Sequence, residues 1–149
     1  MINLGITISG TYETVWSGDP ALDSEAEGFE RKLEQARDGA IKWGELCKPD
    51  HQPSVFVMRN LPGHVFRRMV RDLDGSSMAA QSDAAIIFRW AIDSIRDTSN
   101  HTYPGVADKD TGWTVADPKV VDMLDAYDRR IVNELGWLAY TRSVTPPKS

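Results

Sequence analysis

The first sixteen residues alternate between apolar and polar side chains. Apolar or aromatic residues recur at every second position in most of this segment, at Ile2, Leu4, Ile6, Ile8, Tyr12 and Trp16. A period of two is typical of a strand that buries one face. Such a strand would be unusually long, so a turn at Gly10 that pairs residues 2–8 with residues 12–16 is an alternative. The pattern leaves open whether the apolar face packs against Val55–Met58 of the same chain or against another subunit.

The next segment repeats its apolar residues with the spacing of a helix. Ser24 and Glu27 have the spacing of a capping box, in which the two side chains satisfy backbone donors at a helix start. An apolar stripe then runs in steps of three and four residues from Phe29 to Cys47. The stripe predicts one continuous helix, which ends before Pro49.

Three further helices are predicted downstream. Apolar residues at helical steps predict a short helix over 64–73 and a longer helix from about 77 to 98. Asp117 as the N-cap and Pro118 at the first helical position begin the last helix. The pattern of this last helix predicts a break near residues 125–126.

Two more strands complete the predicted elements. Residues 54–59 are apolar on both faces, which favours a central strand. Residues 112–115 predict a short strand in a hairpin-like excursion around residues 103–105. We therefore expect an α+β fold, in which a small sheet packs with about four helices. The sheet would consist of the N-terminal strand or hairpin and the strand near 54–59.

The same pattern predicts how the chain is divided. Residues 1–17 form an N-terminal β arm or hairpin, residues 18–143 form a single α+β domain, and residues 144–149 form a disordered tail. A chain of 149 residues is long enough for one domain with a core of its own.

Charge and composition narrow the classes of partner. The net charge of −5 and the isoelectric point near 5.1 disfavour a nucleic-acid binder, which needs a basic face. The densest basic cluster, at residues 67–71, is followed directly by Asp72 and Asp74. No apolar run approaches the roughly 18 residues of a membrane span, and the N-terminus lacks the pattern of a signal peptide. Because Cys47 is the only cysteine, it has no disulfide partner within the chain, and we expect a reducing cytoplasm.

Residues that could carry chemistry do not form a recognised motif. His51, His64 and His101 have no metal-binding spacing. Asp108 and Asp110 resemble the start of a calcium loop, but the twelfth position of such a loop would be Lys119, a cation. We therefore expect no catalytic residue, no metal ligand, no cofactor and no small-molecule substrate. The five tryptophans are spread along the chain, which favours roles in the core and in interfaces.

Three quoted segments carry a resemblance to a known class of proteins. They are GDPALDSEAEGFERKLEQARD at 18–38, PSVFVMRNLPGHVFRRMV at 53–70 and ADPKVVDMLDAYDRRIVNELGWLAYTRS at 116–143. In this order they resemble small bacteriophage proteins of virion assembly and structure. In that class a P-x-V-F-x-x-R-x-L strand, here residues 53–61, leads into a helix. The resemblance implies a role such as a tail-assembly chaperone or a minor head or tail component, and it implies no catalytic residue.

These observations predict a non-enzymatic bacteriophage structural or assembly protein that acts through protein–protein contacts. Its partners would be other phage structural proteins or further copies of itself, and neither nucleic acid nor a membrane. It would be found in the host cytoplasm during assembly or in the virion. The expected partner-binding residues are the apolar positions of the arm, Ile2, Leu4, Ile6, Ile8, Tyr12 and Trp16.

Two other functions stay open. One is a small intracellular metal-dependent enzyme that uses Asp108, Asp110 and a histidine. The other is a regulatory binder of a host protein.

Overall fold

The computed structural model describes residues 10–75, 82–96, 101–102 and 105–144. The α-helices are α1 (Phe29–Arg37), α2 (Gly63–Gly75), α3 (Asp83–Ala91), α4 (Lys119–Tyr127) and α5 (Arg130–Val144). The strands are β1 (Thr11–Thr14), β2 (Val55–Arg59), β3 (Ile92–Arg96), β4 (His101–Thr102), β5 (Gly105–Ala107) and β6 (Thr114–Ala116). A short 3-10 helix covers Trp43–Leu46. The predicted α+β class is confirmed.

An antiparallel sheet with the strand order β1-β2-β3-β4 lies beside the helices. Thr11 pairs with Arg59, and Thr14 pairs with Phe56. The described part of the N-terminal strand therefore pairs within its own chain, against the strand that was predicted to be central. Ile2, Leu4, Ile6 and Ile8, and with them the proposed hairpin across Gly10, lie outside the described residues.

The main core lies where α3 and α5 cross beside the sheet. Its fully buried side chains include Phe88 and Ile87 of α3, Leu135 of α5 and Met58 of β2. The two helices approach so closely that a Cβ atom at Gly136 would overlap the backbone oxygen of Ala84. Glycine is required there because α3 leaves no room for a side chain.

A smaller core lies beneath α1. Leu33 and Ala36 of this helix pack with Val15, Leu22 and Leu46. The small core joins the segment that follows β1 to the first helix. Together with Trp16 in the main core, it makes residues 11–16 part of the domain rather than a separate arm.

The first predicted helix is wrong at both ends. Gly28, not Ser24, precedes the first helical residue, and no side chain caps the helix. The helix ends at Arg37, because Gly39 takes a left-handed conformation with φ of 81°. The amides of Gly39 and Ala40 bond back to the carbonyls of Ala36 and Gln35, which is the Schellman arrangement. The apolar stripe therefore continues beyond Arg37 through a turn and a 3-10 helix.

The third predicted helix is wrong in its second half. Its helical part begins after Ser82, whose Oγ accepts a hydrogen bond from the amide of Ala85. At Ile92 the backbone becomes extended, with ψ of 134°, and β3 begins without a connecting loop. Ile95 continues the helical spacing from Ala91, yet it pairs with Phe56 of β2 as a strand residue. The predicted ends of this helix, residues 77–81 and 97–98, lie outside the described residues.

The C-terminal elements largely follow the prediction. Helix α4 begins at Lys119, one residue later than predicted, because Pro118 precedes the helix instead of being its first residue; the amide of Lys119 donates to Asp117 Oδ1 at 2.8 Å. The predicted break occurs at Asp128, a few residues later than expected. β5 and β6 form the predicted hairpin, but their turn lies at Asp108–Gly112, because Gly105 belongs to β5 itself. Helix α5 reaches Val144, and residues 145–149 of the predicted tail lie outside the described residues.

Candidate functional site

A groove of about 420 Å³ opens at the end of the sheet where β1 leaves it. We call it the apolar groove. Its apolar lining comes from the segment after β1, from β2, β3 and α4, and from the start of α5. The side chains concerned are Trp16, Phe56, Ile95, Met123, Leu124, Tyr127 and Ile131. Asp19, Pro20 and Ser54 complete its wall.

Two large side chains at the rim of the groove are exposed. Tyr127 is 66% exposed and Met123 is 44% exposed, whereas Trp16 beneath them is 7% exposed. The ring of Tyr127 stands edge-on to that of Trp16, with centroids 6.4 Å apart. Tyr127 belongs to the apolar stripe that predicts a buried position. It stays outside because α4 ends there and Asp128 is extended, so the chain turns before the next helix.

A charged pair borders the aromatic rim. The guanidinium of Arg130 lies 5.5 Å from the ring of Trp16, within reach of a cation–π interaction. Asp128 holds it through a hydrogen bond of 2.7 Å from Arg130 Nη2. Hydrogen bonds from the Arg130 side chain and amide lower the pKa of Asp128 to about 2. The groove therefore has an apolar floor and a charged border, which is the usual arrangement of a protein contact site.

The carboxylate of Asp19 in the groove wall accepts hydrogen bonds from the backbone. Asp19 Oδ1 accepts from the amide of Ala21 at 2.9 Å, and Oδ2 accepts from the amide of Ser54 at 3.0 Å. These bonds fix the loop after Trp16 to the start of β2. Both carboxylate oxygens of Asp19 are thereby engaged by backbone amides.

A carboxylate on α5 holds the Trp16 segment in place. Glu134 accepts hydrogen bonds from the amide of Ser17 and from Arg37 Nη2, each at 2.8 Å, and from the Ser17 hydroxyl. Arg37 also donates to the carbonyl oxygen of Val15 at 2.9 Å. These bonds connect α1, the chain after β1 and α5, so that Trp16 is held at the floor of the groove.

A second apolar surface lies on the outer side of α5. Trp137 is 42% exposed, and its ring lies 5.7 Å from that of Tyr140. Phe66 of α2 contacts Tyr140 from the other side, with centroids 5.6 Å apart. Because Leu135 on the same helix is fully buried, α5 carries apolar side chains on two faces.

The β5–β6 hairpin is fastened to the body of the protein by arginine and tryptophan. The Arg59 guanidinium lies 4.4 Å from the centre of the Trp113 ring and donates to the carbonyl oxygens of Trp90 and Thr114. Trp113 Nε1 also donates to the carbonyl oxygen of Trp90, at 2.8 Å. These tryptophans therefore have structural roles, as their spread along the sequence predicts.

Both carboxylates of the calcium-like segment are engaged by one cation. Arg68 lies 3.1 Å from Asp108 and 3.1 Å from Asp110. The Asp108 carboxylate also accepts from the amide and hydroxyl of Thr111. Burial opposes ionisation, but these hydrogen bonds and the charge of Arg68 together lower the pKa of Asp108. Among the described residues, no group of three or more His, Cys, Asp or Glu side chains could hold a metal ion.

The remaining candidates for chemistry are the three histidines and Cys47. His51 is exposed, and its Nδ1 donates to the carbonyl oxygen of Pro49. His64 is exposed at the start of α2, and the side chain of His101 lies outside the described residues. Burial, and then the charge of Asp19, raises the pKa of Cys47, which favours the unreactive thiol.

The expected partner-binding residues that can be located do not share one surface. Trp16 lines the apolar groove, whereas Tyr12 lines a different cavity and is half-buried against the main core. Trp16 packs inside its own chain and leaves little surface for another subunit. Met123 and Tyr127 are the exposed groove residues that the sequence pattern missed.

No protein-family model, curated protein or solved structure matches this chain. Within the described ranges, no helix is long and apolar enough to cross a membrane.

Proposed function

We propose that this protein is a non-enzymatic component of bacteriophage particle assembly and that it acts through protein–protein contacts made at the apolar groove. The observation that carries the proposal is the exposed pair Met123 and Tyr127 above the buried ring of Trp16. The phage context comes from the resemblance of residues 18–38, 53–70 and 116–143.

The groove has the composition of a contact hot spot. Aromatic and methionine side chains are enriched at the centres of protein interfaces, and a concave apolar site takes one anchoring side chain of a partner. Covering most of the Tyr127 ring would contribute about 1–2 kcal/mol by removing apolar area from water. Arg130 and Asp128 would lie at the polar border of the contact.

The partner is another phage structural protein or a second copy of this chain. Contact would take place in the host cytoplasm during assembly or in the particle. The contact surface differs from the arm that the sequence predicts, because Trp16 is already packed within its own chain.

The first test compares the wild type with the double variant M123S/Y127S by light scattering. We expect the double variant to lose self-association or, if the wild type is monomeric, to lose cross-links to structural proteins of the particle. Val106→Ser is the matched control, because Val106 is an exposed apolar residue on β5 that does not line the groove. An equal loss of association or cross-links in V106S would indicate non-specific hydrophobic association instead of a contact at the groove.

Cross-linking from position 127 identifies the partner. A photoreactive residue at this position should capture a structural protein or a second copy. Capture of a host protein alone would favour the regulatory binder instead. A strictly monomeric chain that captures no component of the particle would contradict the proposal.

A further inference from the structure

A second cavity, of about 450 Å³, is separate from the apolar groove and open to solvent. It lies between β1, the end of α1 and the last turns of α5. Its side chains include the aromatic Tyr12 and Trp43 and the basic Arg37, Lys42 and Arg142. We call it the basic cavity. It brings together residues from opposite ends of the chain.

The positive charges of the basic cavity are only partly neutralised. Arg37 is paired with Glu134, and Glu13 at the cavity edge is paired with Arg96. In the part of the chain that the structure describes, neither Lys42 nor Arg142 forms an ion pair. Asp38 is the remaining acid in the lining. Two cations thus face one carboxylate, and the cavity carries an excess of positive charge in a protein whose net charge is −5.

Arg142 reaches the cavity from the exposed side of α5. Its guanidinium lies 3.8 Å from the centre of the Tyr12 ring. The face of the ring holds the guanidinium in position, while its N–H groups stay available to an acceptor.

Two of the residues that line the cavity, Tyr12 and Arg37, carry buried hydrogen-bond donors. Within the described ranges, the hydroxyl of Tyr12 and Nε of Arg37 are both buried and have no hydrogen-bond partner. Arg142 and Arg37 lie near enough to the Tyr12 hydroxyl to lower its pKa, but burial outweighs them and raises the pKa to about 12. The hydroxyl is protonated at neutral pH, so it can donate a hydrogen bond to an acceptor. Buried polar groups are normally satisfied, so an acceptor that enters the cavity would gain hydrogen bonds from these two donors.

We propose that the basic cavity binds the oxyanion group of a small organic acid, a carboxylate or a phosphate ester. Lys42 and Arg142 supply the charge. Tyr12 donates through its hydroxyl to a ligand oxygen that reaches this buried group. The side chains of Trp43 and Ile41 pack against the apolar part of the ligand. The site is independent of the apolar groove, so it neither needs nor supports the proposed assembly role.

Calorimetric titration of the full chain with sodium phosphate and, separately, with sodium succinate tests this site. Ionic strength is held constant with chloride. We expect saturable binding of at least one anion. Binding of phosphate alone assigns a phosphate site, binding of succinate alone assigns a carboxylate site, and binding of both assigns a general oxyanion site.

Variants of the cavity show whether the binding is local. Lys42→Gln and Arg142→Gln change exposed residues and should fold, and each should weaken binding about tenfold, since a hydrogen bond to a charged group contributes on this scale. Tyr12→Phe should weaken it several-fold. Lys32→Gln and Arg129→Gln remove exposed charges outside the cavity and should leave binding within about twofold. The proposal is overturned if neither anion binds saturably, or if the control variants weaken binding as much as the cavity variants do.

Discussion

At the scale of single residues, the absence of a side chain at Gly136 allows two helices of the main core to approach closely. Gly136 lets the backbone of α5 touch the backbone of α3 at Ala84. Neither partner of this contact is the end of a flexible side chain, so a small rotation cannot make room. The packing of the main core depends on the distance between the α3 and α5 backbones at this contact, and the fully buried Leu135 lies beside it.

We therefore expect Gly136→Ala to destabilise the protein. Alanine favours the helix by about 1 kcal/mol. Overpacking costs about 1–3 kcal/mol, and a clash with backbone lies at or above the upper end. The free energy of unfolding in urea should fall by about 2 kcal/mol. Gly44→Ala is the control: its Cβ would meet no atom within 4 Å, and unchanged stability is expected. Equal stability of G136A and the wild type would show that α5 can shift freely.

We expect the protein to lose stability in alkali because the hydroxyl of Tyr12 is buried. Burial raises the pKa of its hydroxyl to about 12, whereas the unfolded chain titrates near 10. The folded state therefore keeps a proton that the unfolded state loses. The raised pKa contributes about 2–3 kcal/mol to the free energy of unfolding. This contribution is fully present below pH 10 and is lost as the pH rises toward 12. Urea unfolding from pH 8 to 12 should show a smaller alkaline loss in Tyr12→Phe than in the wild type.

Substitution of the exposed Tyr127 is the control for Tyr12→Phe. Tyr127→Phe removes a hydroxyl at a solvent-facing position and should keep the wild-type alkaline loss. If Y12F and the wild type lose the same stability in alkali, the hydroxyl of Tyr12 is not shielded from water as described. Below pH 10, Y12F should be as stable as the wild type or slightly more stable, because it removes an unsatisfied buried group.

At the scale of elements, apolar periodicity located most helices but not their ends. The stripe from Phe29 to Cys47 keeps a helical spacing, yet the left-handed Gly39 interrupts it. Spacing reports which side chains are buried, and it does not report whether the chain between them is helical. Asp117 and Pro118 located the start of α4 to within one residue, because Asp117 acts through a local bond from the amide of Lys119.

The change from α3 to β3 shows why the remaining boundaries were missed. Ala91 and Ile95 have a spacing that suits a helix, and Ile92 and Ile95 are both buried in the strand. Hydrogen bonds from neighbouring strands decide between the two conformations, and one of these strands, β2, lies more than thirty residues earlier in the chain. A local pattern cannot carry that information.

The β5–β6 hairpin gives a prediction about one hydrogen bond. Trp113→Phe keeps an aromatic ring under Arg59 but removes the N–H that donates to the carbonyl of Trp90. We expect a stability loss of about 1–2 kcal/mol. Amide exchange should become faster at Val106 and Val115 and stay unchanged at Val57 of β2. Faster exchange throughout the protein would place Trp113 in the global core instead.

At the scale of the whole molecule, several contacts join the described part of the N-terminal strand and the residues after it to the rest of the domain. β1 pairs with β2, Val15 belongs to the small core and Trp16 belongs to the main core. The Glu134 hydrogen bonds add a link from this segment to α5. The described residues of the predicted arm are thus structural.

Deletion of residues 1–17 should therefore unfold the domain. The deletion removes an edge strand together with two fully or nearly buried side chains, Val15 and Trp16. Circular dichroism and thermal melting should show loss of the cooperative transition. Deletion of residues 1–9 is the matched control, because every described contact of β1 stays in place and a transition should be retained. A folded monomer after deletion of 1–17 would mean that β1 is dispensable for the fold.

Neither candidate site could be read from the sequence. The apolar groove gathers residues from four elements and from the segment after β1, and its exposed rim arises because the chain turns at Asp128. The basic cavity joins Tyr12 near one end of the chain to Arg142 near the other. Sequence spacing identifies sites whose residues lie on one element, and both of these sites are products of the tertiary fold.

The direct change from helix to strand at Ala91–Ile92 also determines where the chain can vary in length. One residue inserted there would turn every side chain of β3 to the opposite face of the sheet, because strand side chains alternate. Ile95 would then leave its place beside Phe56. The turn at Asp108–Gly112 is largely exposed and connects only two short strands. Insertions and fused segments should therefore be accommodated at this turn, while the junction between α3 and β3 keeps its length fixed.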